Sequence, residues 1–487
     1  EDHHQGRSDL GPDRSTGGSR RPWIYFTVII CCYGFFKEFK PSEAFLTPFL
    51  VDPKGKNFTK TEINSEIYPF WPYSYLVAAL FVFLFTDYLR YKPVILLEAF
   101  AYLATRFLLI WGTSVSAMQW MQIAYGVASA AEVAFFAYIY LAVPDVRFKI
   151  ATSVLRAVRL LGQSGSSAVA QIVTSTGVVS LLQLNYISFG SVLISCVFAV
   201  LIPNPVSFDC EPACSRGVIS IVPKPRTTER RKNLRNFVAF AWRDFRKFYS
   251  NPFLLKWSVW WAFSMCGVLQ VGNYVQSLWK AIAEETHQSH EYNGLVEAVA
   301  QLSSALAALG VTAVRINWRL WGELVIGLLC FIDAVLLLVA SHSDQLWIAY
   351  LCHVLYRTTY SFLITIASVQ LAYAVDHDSY GLIFGFNTFL SLVLMTGLTL
   401  TVADEHGLDL DIRTQFVVYS GYYYMLTLLF IGAGVYSLTT TGWLNSLRLC
   451  FSELRPPSLT TDNDNKDTVE EEPTETTPLI QDMGRSI

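Results

Sequence analysis

Charge is scarce in this chain. Of its 487 residues, 15% are Asp, Glu, Lys or Arg, whereas soluble domains run nearer about 25%. With 53% hydrophobic residues and a mean hydropathy of +0.36, that shortage excludes an ordinary water-soluble domain. Catalytic signatures are missing too. The sequence has no Gly-rich phosphate loop, no HExxH and no GxSxG, so the nucleotide, zinc-protease and hydrolase chemistries those motifs carry have no foothold. Nine cysteines are scattered, most of them in apolar segments, and read as reduced packing residues. Cys210 and Cys214 form a lone CxxxC without a second ligand pair for zinc. No metal, cofactor or enzyme activity is expected.

Apolar runs, by contrast, are plentiful. Twelve fall near 23–50, 71–91, 93–113, 118–142, 149–175, 179–203, 253–280, 292–314, 318–341, 345–375, 380–402 and 414–440. A helix rises about 1.5 Å per residue and a bilayer core is about 30 Å thick, so such runs can span it. The expected fold is an all-α membrane protein with twelve transmembrane helices in 6+6 halves. The expected order is a disordered tail (1–22), a six-helix half (23–203), a basic linker (204–252), a second half (253–440) and an acidic tail (441–487).

The linker holds ten basic residues, including Arg230, Arg231, Lys232, Arg235, Arg243, Arg246 and Lys247, against four acidic ones. The positive-inside rule places it in the cytoplasm, and an even span count places both termini there. The basic run reads as a topology signal, not a nucleic-acid site. Residues 1–22 lack the apolar core of a signal peptide, so the run from Pro22 reads as a retained first span. Asn57-Phe58-Thr59 then falls in an outer loop, which makes Asn57 an expected glycosylation site. A short charged loop, Asp87 to Pro93, separates spans two and three. With the 6+6 count it suggests the major facilitator architecture, whose halves rock around a midplane site. In the acidic tail, Glu475, Leu479 and Ile480 form an acidic dileucine pattern for a clathrin adaptor. Cys450 is a juxtamembrane candidate for palmitoylation. The expected location is the plasma membrane, with endolysosomal sorting.

Polar residues inside the spans carry the functional reading, because charge in the bilayer is costly and should face a bundle interior or a watery cavity. Gln122, Tyr125, Ser129 and Glu132 share one helix face. Glu43 follows Pro41, which should break the first span. Arg106 lies deep in span three, with Glu132 or Glu98 as partner. Glu132 could instead pair with Arg156 or Arg159. Gln270, Asn273, Tyr274 and Ser277 form a stripe on span seven. Glu297 lies one turn into span eight, and Arg357 heads a stripe on span ten. Any single neutral member is ordinarily interhelical glue; stripes in both halves suggest a shared path. Tyr68, Trp71, Tyr73 and Tyr75 open span two. Carboxylates at 43 and 297 with aromatics at 68, 71, 125 and 274 suit a flat, cationic heteroaromatic. A dianion would want several Lys or Arg residues, and only Arg106 and Arg357 are expected deep in the bundle.

These residues resemble the solute carrier family of reduced folate and thiamine transporters. The resemblance covers about 23–440 and rests on the segments 40–46, 73–76, 86–93, 131–134, 138–140, 257–263, 273–276, 292–294, 296–298 and 384–389. It implies the twelve-span facilitator fold and vitamin transport across a membrane. Folate carriers have arginine at Glu132, lysine at Met395, tyrosine at Asn273 and aspartate at Glu297, so the chain resembles the thiamine branch more. By that resemblance a thiamine site uses Glu43, Tyr68, Trp71, Tyr125, Asn273 and Glu297. Two positions depart from that branch: Arg106 stands for tryptophan and Gln122 for glutamate. Both make the corner more positive and point to the alternative, an organic-anion carrier for reduced folates or thiamine phosphates.

Overall fold

Helix boundaries follow local chemistry. Pro93 and Pro252 occupy first turns, where a missing N–H costs nothing. Ser114 accepts from the Ala117 amide, and Ser180 forms a capping box with Gln183. Gly177, at φ +65°, ends its helix in the left-handed region. The structure, a computed structural model, describes residues 22–59, 62–203, 234–286, 292–375, 379–403 and 407–441. Cys210, Cys214, Cys450 and the pattern at Glu475, Leu479 and Ile480 lie outside the described residues.

The helices are α1 (Pro22–Glu38), α2 (Leu46–Val51), α3 (Phe70–Leu89), α4 (Lys92–Trp111), α5 (Val115–Ala142), α6 (Phe148–Thr176) and α7 (Leu181–Leu201). After these come α8 (Leu234–Tyr249), α9 (Pro252–Glu285), α10 (Asn293–Gly310), α11 (Trp318–His342), α12 (Leu346–Ala372), α13 (Tyr380–Val402) and α14 (Ile412–Thr441). Among the described residues the expected spans appear as α1 continued by α2, then α3–α7 and α9–α14. Eight of these helices are long and apolar enough to cross a membrane by length and composition alone. The other four carry much of the interior polarity. α1 is cut to 17 residues, α6 holds Arg156, Arg159 and Gln163, α9 holds Gln270 and Asn273, and α12 holds His353 and Arg357.

The two halves repeat one packing plan. α1 packs on α6 and α7 as α9 packs on α13 and α14. α3 packs on α5 as α10 packs on α12, and α4 packs on α5 and α7 as α11 packs on α12 and α14. The halves meet along two equivalent seams, α3 with α13 and α6 with α10. This is the two-bundle arrangement of the major facilitator fold.

The break in α1 comes at Lys40-Pro41, as the proline requires. A 3-10 turn, Pro41–Phe45, leads into α2. Freed backbone groups need partners inside a membrane, and α7 supplies them. Ser188 Oγ accepts the Ser42 amide at 2.9 Å, and Ser191 donates to the Phe36 carbonyl at 2.8 Å. Gly162 of α6 lets the bent chain approach: a Cβ there would lie 2.7 Å from the Phe35 carbonyl oxygen.

One end of the bundle is shut. The Asp87 carboxylate of the first half accepts the Gly381 and Leu382 amides of the second at 2.8 and 2.7 Å, at the positive N-terminus of α13. Tyr91 hydroxyl bonds Asp87 and accepts the same Gly381 amide at 3.1 Å. Tyr140, Phe148 and Tyr380 pack across the seam and are buried. Lys149 donates to the Val314 carbonyl at 2.6 Å.

Candidate functional site

The broken first helix gathers a chain of alternating charges. Glu98 pairs with Lys37 at 2.5 Å, and Lys37 with Glu132 at 3.2 Å. Glu132 pairs with Arg159 at 2.8 Å, and Arg159 with Glu38 at 3.1 Å. Glu38 lies 3.7 Å from Lys40, Lys40 3.0 Å from Glu43, and Glu43 3.2 Å from Arg106. Four carboxylates meet four cations, so the chain sums to zero. Polar neighbours finish it: Gln163 donates to Glu38 at 2.9 Å, and Arg106 to Ser42 Oγ at 3.1 Å.

Exposure varies along the ladder and peaks at Glu43. Lys37 and Glu98 side chains are 0% exposed, whereas Glu43 is 36% exposed. At Glu43 the ladder meets an aromatic group. Tyr125 hydroxyl donates to Glu43 at 2.5 Å, and its ring lies 5.9 Å from both Trp71 and Tyr102. Trp71 Nε1 donates to Ser129 Oγ at 3.3 Å. Lys40 Nζ sits 4.5 Å from the Tyr102 ring centre.

The second half contributes a smaller group. Glu297 lies 3.3 Å from His353 Nε2 and accepts from Gln301 at 2.5 Å. Trp279 stands edge-on to His353. Arg357 is within electrostatic reach of Glu297. Tyr360 of α12 is in reach of Arg357 and, across the interface, of Arg156, Arg159 and Glu132. Arg156 itself donates to Ser368 of the second half at 2.7 Å. Glu132 and Arg159, charged residues well inside their helices, stay about a fifth exposed, as interior charge that faces a watery path would.

The structure thus brings Glu43, Trp71, Arg106 and Tyr125 into contact and ties Glu132 to them through the ion chain. Glu297 and Arg357 form their own group. Tyr68 bonds Thr47 and packs against the cluster that holds Phe49 and Met118. Gln122 is buried. Asn273 is exposed on α9, and Tyr274 is half-buried beside it. Arg106 pairs with Glu43, not with Glu132 or Glu98 as expected, because the break in α1 swings Glu43 inward over α4. Of the two partners open to Glu132, Arg159 takes it; Arg156 turns to Ser368 instead.

A family model described as reduced folate carrier matches residues 21–418. The chain belongs to the reduced folate carrier family. The carrier is 36% identical over 454 residues to human "Thiamine transporter 1", covering 86% of this chain and 91% of that one. It is 39% identical over 416 residues to "Folate transporter 1" of Caenorhabditis elegans, covering 84% and 91%. With mouse "Reduced folate transporter" it shares 35% over 446 residues, covering 88% and 84%. Its fold is similar to that of the proton:xylose symporter XylE, with TM-score 0.58, 13% identity and coverage of 85% and 96%. It is similar also to the human organic anion transporter MFSD10, with TM-score 0.57, 12% identity and coverage of 84% and 99%. The carrier is a membrane transporter and not an enzyme.

Sequence reasoning missed Lys37, Glu38, Lys40 and Gln163, which hold the ladder together, and His353, which holds Glu297. A signal existed. Lys37, Glu38 and Lys40 are charges inside an otherwise apolar run, and such residues seldom stand without partners.

Proposed function

We propose that this carrier takes up thiamine across the plasma membrane by alternating access. The observation that carries the reading is Glu43, a carboxylate more than a third exposed that accepts from Tyr125, whose ring packs with Trp71 and Tyr102. A flat heteroaromatic cation gains from ring faces and a carboxylate at once, at about 0.5–2 kcal/mol per desolvated face. Glu297 in the opposite half supplies a second carboxylate. Three of the proteins it resembles are named as thiamine or folate transporters, which fits a vitamin substrate.

The basic linker supports a cytoplasmic side for the shut end and both termini, and on that reading the conformation faces outward. Substrate enters from the open side, and Asp87 must release α13 before it leaves inward. The outer loop then carries Asn57, which is exposed and held at φ 57° beside buried Phe58; it is the proposed glycosylation site. Glu475, Leu479 and Ile480 are the proposed adaptor motif.

A second reading has its own observation. Lys40 and Arg106 both flank Glu43, and two cations beside the most exposed carboxylate of the ladder offer partners to a phosphate or carboxylate of the ligand. This favours reduced folates or thiamine phosphates. Uptake of labelled thiamine, thiamine phosphate and 5-methyl-folate in cells expressing the protein separates the two. Saturable thiamine uptake, unaffected by excess folate, supports the first reading. Saturable uptake of the anions alone supports the second.

A further inference from the structure

The helix α8 has two faces with different partners. On the docked face the Phe245 ring meets Phe386 of α13 at 4.8 Å, Tyr249 donates to Asn387 at 2.7 Å, and Ser379 donates to Asp244 at 3.0 Å. Phe248 beside them is buried. The other face carries Trp242, Arg243, Arg246 and Lys247, spaced i, i+1, i+4 and i+5, all exposed. Trp242 is 59% exposed, and the Arg246 guanidinium lies 5.7 Å from its ring. Only Ser250 and Asn251 separate α8 from the membrane helix α9, and Asn251 caps that helix through the Phe253 amide. The cationic face therefore sits at the end of the bundle where Asp87 holds α13.

We propose that this face binds anionic phospholipid headgroups. An exposed tryptophan among lysine and arginine, on a short amphipathic helix beside a span, is the composition that seats in a bilayer interface. The tryptophan is satisfied by any lipid, but the cations favour an anionic surface. α8 carries four basic residues against one acidic, Asp244, which accepts from Ser379 and lies 3.9 Å from Arg243 Nε, so the helix keeps a net positive charge. The contact has a consequence for transport. Ser379 and Asn387 flank the α13 amides that Asp87 holds, so a headgroup on α8 braces the element that seals the shut end. Anionic lipid then stabilises the outward-facing arrangement, whatever the substrate is.

The test uses the full-length protein in detergent, with phosphatidylserine or phosphatidylcholine titrated and bound lipid read by native mass spectrometry. The wild type should retain phosphatidylserine about tenfold or more over phosphatidylcholine at low salt, and less so at high salt. The triple variant R243Q/R246Q/K247Q should lose that preference while melting normally in phosphatidylcholine; Arg246→Glu alone should cut it in part and serves if the triple variant misfolds. An unchanged preference in a folded variant overturns the proposal, as does no preference in the wild type. A preference that emerges only once the acidic residues 446–487 are deleted also overturns it, since the face would then be covered by the chain's own tail.

Discussion

The two halves share a packing plan and fill their interiors differently. The first half threads eight charges along a broken helix. Much of the second half's interior is neutral: Tyr356 bonds Tyr423 at 2.7 Å, and Gln270 bonds Tyr419 and Thr399 at 3.0 Å each. Its buried acid Asp333 accepts from Thr359 of α12 and has no cationic partner among the described residues. A common helical frame therefore leaves electrostatics free to differ, and here the interior charge is concentrated in the first half. The second half answers with Glu297 and Arg357.

The largest effect should come from the buried end of the ladder. Lys37→Met strands Glu98 without a counter-charge, and breaking a buried pair costs about 3–5 kcal/mol. A large drop in melting temperature is expected, with much of it regained in Lys37→Met/Glu98→Gln. Asp333→Asn in the neutral half should cost under ~1 kcal/mol, because the amide keeps an oxygen for Thr359. Equal losses at the two sites would erase the contrast between the halves.

Next comes the shut end. Asp87→Asn keeps the shape but removes the charge at the α13 N-terminus, worth about 1–2 kcal/mol. Labelling of a cysteine placed at Tyr380 should rise several-fold while thiamine uptake falls. Unaltered labelling would remove Asp87 as the seal.

At the open end, Trp71→Ala should raise the apparent KM for thiamine several-fold, consistent with about 0.5–2 kcal/mol for one ring face. Arg106→Gln frees one side of Glu43 and should shift preference further toward thiamine and away from anions. A fall in thiamine uptake after Arg106→Gln would favour the anion reading instead. The smallest effect belongs to Asn57→Gln, which should lose a glycan by gel mobility and transport at near wild-type rate.

The helix count and the break at Pro41 were legible in the sequence because length, hydropathy and proline geometry are local. The candidates Glu43, Trp71, Tyr125 and Glu132 were legible for a similar reason: polar residues within apolar runs stand out. What was not legible was who pairs with whom. Arg106 finds Glu43 only because the chain bends after Lys40, and Lys37 finds Glu98 on a helix 61 residues away in the chain. Such pairings depend on three-dimensional approach between helices far apart in the chain, which spacing along one helix cannot supply.

The central claim is that Glu43, within its aromatic ring cluster, holds a cationic vitamin in transit. The most direct test is labelled thiamine uptake by purified protein in liposomes, wild type beside Glu43→Gln. The account predicts saturable thiamine uptake by the wild type, reduced at least tenfold in the variant. Equal uptake by the two proteins, or saturable uptake of 5-methyl-folate with none of thiamine, would contradict it.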